Sequence, residues 1–420
     1  MIRAISNLRS KFQNRPMVEK FTYYSIVAAL FMYVFSIPSF ANRVGLNFIC
    51  YVLMALLTGL IIFHSFVFGL KKQFDKRTLL IVIFVVTALV GTVSYSLQFR
   101  GLLTLVLLSI SMFVIYIAML IVNNTKLLFA TFIMAFFVFA IYFIAYYRNE
   151  ILNYASYNYD EFRIGWEFEN PNTIGTFMTL GISLSAYVVL FKDGKWRFIY
   201  VVPAGTFLLV GLTTGSRTFL ISIFILAIAF LLFKFKKHIF VALFAIISIV
   251  AIAIILINTL PFLATIKYRI DDTLKIFDSG VASGSTLERV LWQKYGFYLA
   301  SRRIFFGFGE SGFAFASGVK TYTHGNFTEM LCDFGIIGFL LFYAFNIGPA
   351  FISFLTNKKD REYVITILIV MLVNGFLTVY YYDKSTYVIM AFCYYLLDNA
   401  QPKINQKENI VLDLYCEVNI

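Results

Sequence analysis

Charge is scarce in this sequence. Only 14% of its 420 residues are Asp, Glu, Lys or Arg, against roughly 25% in soluble domains. With 60% hydrophobic residues and a mean hydropathy of +0.81, that scarcity excludes a soluble globular enzyme. Cysteine is scarce too. Cys50, Cys332, Cys393 and Cys416 include no Cys-x-x-Cys pair, which argues against a disulfide framework or a zinc site. Histidine occurs three times. A GxxxxGK[ST] phosphate loop is missing, so nothing points to a bound nucleotide. The net charge of +13 would suit nucleic acid. However, Lys and Arg fall mostly in short breaks between apolar runs, where they set membrane topology instead. The first apolar run lacks a small-residue cleavage site and is expected to stay as an anchor.

What is present is a series of apolar runs, each near the length that crosses ~30 Å of hydrocarbon, about twelve in all. They fall near 21–38, 44–66, 78–97, 101–122, 127–147, 173–191, 198–213, 218–233, 239–260, 334–355, 363–382 and 386–398. The expected fold class is an all-α polytopic membrane protein with a large extracytoplasmic loop that contains short helices. The expected layout is a basic cytoplasmic N-terminus over 1–20, helices over 21–260 with an outer loop at 148–172, a large outer loop over 261–333, helices over 334–398, and a cytoplasmic tail over 399–420. Short basic connections (Lys126; Lys192, Lys195 and Arg197; Lys234, Lys236 and Lys237; Lys358, Lys359 and Arg361) alternate with connections that carry little, which places both termini inside.

The unusual polar chemistry then gathers on the outer face, where there is no ATP. Arg217 stands in Thr-Thr-Gly-Ser-Arg at the mouth of an apolar helix. An arginine there is costly to desolvate and calls for an anion; the alternative is snorkelling to the interface. Arg289 lies in Thr-Leu-Glu-Arg-Val-Leu-Trp, where Leu291, Trp292, Tyr295 and Leu299 would form one helix face, or an interfacial helix on headgroups. Arg302 and Arg303 read as a phosphate contact or as headgroup anchors. His324, in Tyr-Thr-His-Gly-Asn-Phe-Thr-Glu, could act as a general base near neutral pH or cap a helix. Glu329 and Asp333 share a helix face, whereas His324 lies largely on another. Asn170-Pro171-Asn172 reads as a helix start. Arg163 precedes it, and Tyr154, Tyr157, Tyr159 and Trp166 offer aromatic faces to sugar rings. Asp271-Asp272 is a weak cation motif, and Gly307, Gly309 and Gly312 read as a tight turn.

Taken in order, RIGWEFENPN with Arg163, TTGSRTFL with Arg217, STLERVLW with Arg289 followed by FFGFGESGF, and THGNFTEMLCDFGIIGFLLF with His324 resemble the O-antigen polymerase and O-antigen ligase superfamily of bacterial envelope enzymes. The resemblance spans roughly 160–345. It implies a metal-independent, cofactor-free and inverting glycosyltransferase at the outer face of the bacterial cytoplasmic membrane. Its donor would be a glycan on undecaprenyl diphosphate. A polymerase would add this to another lipid-linked repeat unit of O-antigen or capsule; a ligase would transfer it to the lipid A core. In that setting His324 would be the base, and Arg217 and Arg289 would stabilise the departing diphosphate. Arg163, Asn172, Asn326, Glu329 and Arg303 would support the substrate. A flippase and a chain-length regulator are the implied partners, beside the bilayer; nucleic acid is not. The segment around His324 favours polymerase over ligase. A lipid-linked-glycan transporter is a further alternative, against which stand the mostly uncharged spans and dissimilar halves.

Overall fold

In hydrocarbon every backbone N–H and C=O must find its partner within the segment, so long apolar runs become helices. The computed structural model bears this out. It describes residues 16–40, 43, 45–69, 76–97, 99–153, 163–260, 263–279, 284–319, 321–356 and 360–399, and among these there is no strand. The basic stretch up to residue 15, Tyr154, Tyr157 and Tyr159, Lys358 and Lys359, and the tail from residue 400 lie outside the described residues.

The helices are α1 (Pro16–Phe40), α2 (Phe48–Phe68), α3 (Leu80–Gly91), α4 (Phe99–Val122), α5 (Thr125–Tyr146), α6 (Arg148–Leu152), α7 (Pro171–Phe191), α8 (Val201–Thr213), α9 (Arg217–Lys234), α10 (Ile239–Thr259), α11 (Ala264–Ser279), α12 (Gly284–Arg302), α13 (Gly312–Ser317), α14 (Asn326–Leu355), α15 (Arg361–Asn374) and α16 (Lys384–Asn399). Each of the twelve expected runs overlaps one of them. Nine helices among the described residues are long and apolar enough to cross a membrane. The runs at 78–97, 363–382 and 386–398 form shorter helices instead. The clearest departure is 363–382. Its helix stops at Asn374, a length of ~21 Å at 1.5 Å per residue. The residues after it turn back, and Gly375 O accepts from Asn326 N at 2.7 Å.

Aromatic rings fill the centre. Phe129 packs against Tyr187, Tyr363 and Phe392 with ring centres 5.0–5.7 Å apart, which joins α5, α7, α15 and α16. The polar contacts collect at the helix ends. At one end Lys192 pairs with Asp360, Tyr187 Oη donates to Asp360 Oδ1 at 2.7 Å, and Lys234 Nζ donates to Leu190 O. Leu190 closes α7 and Lys234 closes α9, so these two helices run parallel. Their starts, at Pro171 and Arg217, therefore share the opposite end.

The expected span over 334–355 begins earlier, at Asn326, and is broken at Gly335 (φ 63°, ψ −170°). The break accepts a loop. Ile336 N donates to Ile304 O at 2.7 Å, Phe308 N to Cys332 O at 2.9 Å, and Gly309 N to Asp333 O at 2.7 Å. A Cβ on Gly335 would lie 2.4 Å from the Phe305 carbonyl, and one on Gly307 (φ 66°) would lie 2.4 Å from that of Asp333. The glycine-rich turn is therefore a docking joint between two backbones, closer than any side chain allows. Asp333 fastens it further: its carboxylate accepts from Phe313 N at 3.0 Å and from Tyr381 Oη at 2.7 Å.

Candidate functional site

The described part of the stretch before α7 is a polar loop with two deeply buried apolar anchors, Ile164 and Phe168. Phe168 is 1% exposed, beneath Phe139, Phe143 and Tyr147. The Arg43 guanidinium covers its ring at 4.2 Å and donates to Glu167 O at 3.1 Å and to Tyr142 Oη at 3.2 Å. Asn170 then caps α7 by accepting from Asn172 N at 2.9 Å, with Pro171 in the first turn, as the Asn-Pro-Asn order leads one to expect.

Two clusters of polar groups follow from the shared helix ends. In the first, Asn172 Oδ1 accepts from Arg163 Nη2 at 2.8 Å and from Ser216 Oγ at 3.0 Å, while Arg163 Nε donates to Thr214 O at 3.1 Å. Ser216 also caps α9 by accepting from Phe219 N. In the second, Arg217 Nη1 reaches Arg269 O at 3.5 Å and Arg269 Nη1 reaches Gly215 O at 3.3 Å. Arg289, Arg269 and Asp272 all act electrostatically on Arg217. Three guanidinium groups and one carboxylate, at the starts of two helices whose dipoles point positive ends the same way, make a place that favours an anion.

Arg289 links this cluster to His324. Burial pushes the Arg289 guanidinium below its ordinary value, partly offset by Tyr322. The Tyr322 ring lies 4.4 Å from the His324 ring. His324 adopts φ 63°, uncommon for a residue with a side chain and a strain that points to a fixed role. Burial first, and the Arg289 charge second, lower the His324 imidazole to about 4. It is thus neutral at pH 7 and able to accept a proton.

The open space lies alongside. One cavity of ≈480 Å³ is lined by Glu169, Asn172, Tyr322, Tyr382, Asp383 and Lys384, among others. A second, of ≈340 Å³, is lined by Glu310, Glu329, Tyr322 and Tyr382, among others. Tyr322 and Tyr382 border both. Tyrosine faces and carboxylates are the groups that hold sugar rings and hydroxyls.

Of the expected site residues, Arg163, Asn172, Arg217, Arg289 and His324 are brought into one continuous set. Glu329 lies at the edge of the second cavity, but it is 3% exposed and accepts from Thr323 N at 2.6 Å, not from His324. Asn326, expected to support the substrate, is held by protein groups. It is 0% exposed; its Nδ2 donates to Tyr343 Oη at 2.8 Å, and its Oδ1 accepts from Tyr380 N and Tyr381 N, both at 2.9 Å. All of its hydrogen bonds go to the protein, so it ties α14 to the loop after α15. Arg303 stacks over Tyr95 at 4.2 Å and near Phe308, so it packs the glycine-rich turn. Trp292 and Tyr295 face Phe313, whereas Leu291 is exposed and leaves the expected α12 face. Asp271 is exposed and Asp272 buried, so the pair does not present two carboxylates to one ion.

Sequence reading missed Tyr322, Arg269 and Lys384. Tyr322 sits two residues before His324, in the string already singled out. Arg269 belongs to an amphipathic helix, and nothing local distinguishes it from the other cations there.

Residues 202–343 match the family model described as O-antigen ligase, in agreement with the superfamily that the ordered motifs resemble. The match contains Arg217, Arg289 and His324; Arg163 and Asn172 precede it. No curated protein matches the chain.

Proposed function

We propose, from the premise that residues 202–343 are an O-antigen-ligase-type domain, that this protein is a membrane glycosyltransferase that polymerises undecaprenyl-diphosphate-linked oligosaccharides. The observation that carries the reading is the placement of Arg217, Arg289 and His324 together at one end of the bundle, beside cavities that can take sugars. The acceptor hydroxyl loses its proton to His324 Nε2 or Nδ1 as its oxygen forms a bond to the anomeric carbon of the donor. The bond from that carbon to the diphosphate breaks, and the electron pair leaves with undecaprenyl diphosphate. Arg217 and Arg289 face the charge that builds there, an electrostatic contribution larger in the transition state than in the ground state. The imidazolium then returns its proton to solvent.

The substrate also tunes the base. The Arg289 charge is the second cause of the low His324 value. A diphosphate against Arg289 cancels that charge, so binding strengthens the base just where it is needed. The leaving group is already activated, so the site needs no nucleotide, and attack opposite the diphosphate inverts the anomeric centre. The positive-inside distribution of Lys and Arg supports a site on the outer face of the bacterial cytoplasmic membrane. A flippase would deliver the substrate there, and a chain-length regulator would act on the product.

The second reading is a ligase that transfers the glycan to the lipid A core, favoured by the description of the matching family model. Purified protein with an undecaprenyl-diphosphate-linked oligosaccharide, without nucleotide or metal, separates them. A ladder of products that disappears in His324→Ala is expected. Transfer only after the lipid A core is added would make the protein a ligase. No transfer under either condition would overturn both readings.

A further inference from the structure

The ≈480 Å³ cavity does not end at Asn172. It runs away from the arginine cluster to Tyr51 and Lys384, where it meets a smaller recess of ≈80 Å³ among α1, α2 and α4. The two spaces share Tyr51, Thr104, Leu108 and Lys384. Lys384 is the one charged side chain among the described residues that line the recess. Its Nζ lies 5.5 Å from the centre of the Tyr51 ring. Leu107 and Ile110, on the recess wall, are 41% and 49% exposed along a helix that is long and apolar enough to cross a membrane. The recess therefore opens where lipid chains lie, and a cation stands where it joins the polar cavity. A charged side chain in such a place, turned toward a cavity, reads as a contact for an anion.

We propose that Lys384 and this recess form a second polyprenyl-phosphate subsite, for the acceptor. The inference rests on the reading of this chain as a polymerase of lipid-linked glycans. In that reaction both substrates carry a polyprenyl diphosphate, so one anion site is not enough. Arg217 and Arg289 hold the departing donor diphosphate, and Lys384 holds that of the acceptor. The recess takes the first isoprene units, and the acceptor sugars extend through the large cavity toward His324. The carboxylates fit this division. Glu169 and Asp383 line the large cavity but not the recess. They suit sugar hydroxyls and repel phosphate, which confines the anion to the recess mouth. Asp383 is further occupied as the cap of α16, accepting from Ser385 N at 3.1 Å.

The test is native mass spectrometry of the full chain titrated with undecaprenyl phosphate, a probe without sugar. The wild-type chain is expected to bind two lipids. Lys384→Ala removes one of them, with an affinity loss of at least roughly tenfold, as the loss of a charge-assisted contact implies. Lys384→Arg restores it. Leu107→Trp, a change at a half-exposed position that fills the recess without touching the cation, also leaves one. Arg217→Ala leaves the Lys384-dependent lipid in place. A wild-type chain that binds one lipid, or two lipids retained in both Lys384→Ala and Leu107→Trp, would overturn the subsite. Two lipids bound by a chain that makes no polymer from glycan-bearing lipid would instead sink the polymerase reading and leave the subsite standing.

Discussion

The Arg163 guanidinium donates to Asn172 Oδ1 at 2.8 Å, across a loop that is also anchored by the buried Ile164 and Phe168 side chains and by Arg43, which donates to Glu167 O. The same guanidinium donates to Thr214 O, so one side chain binds the loop before α7, the start of α7 and the turn before α9. Lysine cannot make both bonds, because it lacks the planar fork. Arg163→Lys is expected to lose nearly as much activity as Arg163→Ala, by about 1.5–3 kcal/mol of transition-state stabilisation, the worth of a hydrogen bond to a charged group. Steady-state kcat/KM on a lipid-linked oligosaccharide measures this. A lysine variant at wild-type activity would remove Arg163 from the positioning network.

Arg217 should be equally intolerant, for a different reason. In the proposed reaction it faces the diphosphate directly, so Arg217→Lys is expected to reduce kcat by roughly 10²–10³, close to Arg217→Ala, with a smaller change in KM. An effect confined to KM would mean that Arg217 grips the ground state and does not assist departure.

The low value of His324 sets a pH dependence with a definite sign. The proposed reaction needs the neutral imidazole, so kcat/KM, which reports the free enzyme, is expected to hold on the acid side until pH falls through about 4. The kcat profile reports the complex, in which diphosphate offsets Arg289. Its acid limb is expected at higher pH. In the free protein, Arg289→Gln removes a positive neighbour and raises the His324 value. Histidine-selective NMR titration, with His64 and His238 assigned by substitution, reads that shift; an unmoved resonance would contradict the coupling of Arg289 to His324.

Gly335 and Gly318 separate two sources of strain. Both have positive φ, but a Cβ on Gly335 meets the Phe305 backbone at 2.4 Å whereas one on Gly318 meets nothing within 4 Å. Gly318→Ala should cost about 1–2 kcal/mol, the strain of the left-handed region. Gly335→Ala adds a backbone collision and should cost more, with a larger fall in thermal unfolding temperature. Equal shifts would mean that the loop over 304–309 does not need so close an approach.

Asn326 tests stability apart from chemistry. Asn326→Ala leaves the buried N–H groups of Tyr380 and Tyr381 without their acceptor, at about 1–3 kcal/mol for each orphaned group. The variant is expected to unfold at a clearly lower temperature. Wild-type stability with lost activity would return Asn326 to the substrate.

The sequence by itself determined that this chain is helical and embedded in a membrane. Apolar runs separated by basic breaks leave no other way to satisfy the backbone. It also marked Arg217, Arg289 and His324, because a charge or an imidazole at the edge of such a run is rare enough to stand out. Only the tertiary structure decided which of these marks meet. The parallel course of α7 and α9 brings Asn172 to Ser216 and Arg163 to Thr214, contacts between residues far apart in sequence that no local pattern encodes. It also gave Asn326 its protein partners, Tyr343, Tyr380 and Tyr381, because an asparagine that binds sugar and one that staples two backbones look the same in sequence. Lys384 was hidden for a similar reason: in the sequence it is a lone charge in a short outer connection, and only the packing of α1, α2 and α4 places a recess beside it.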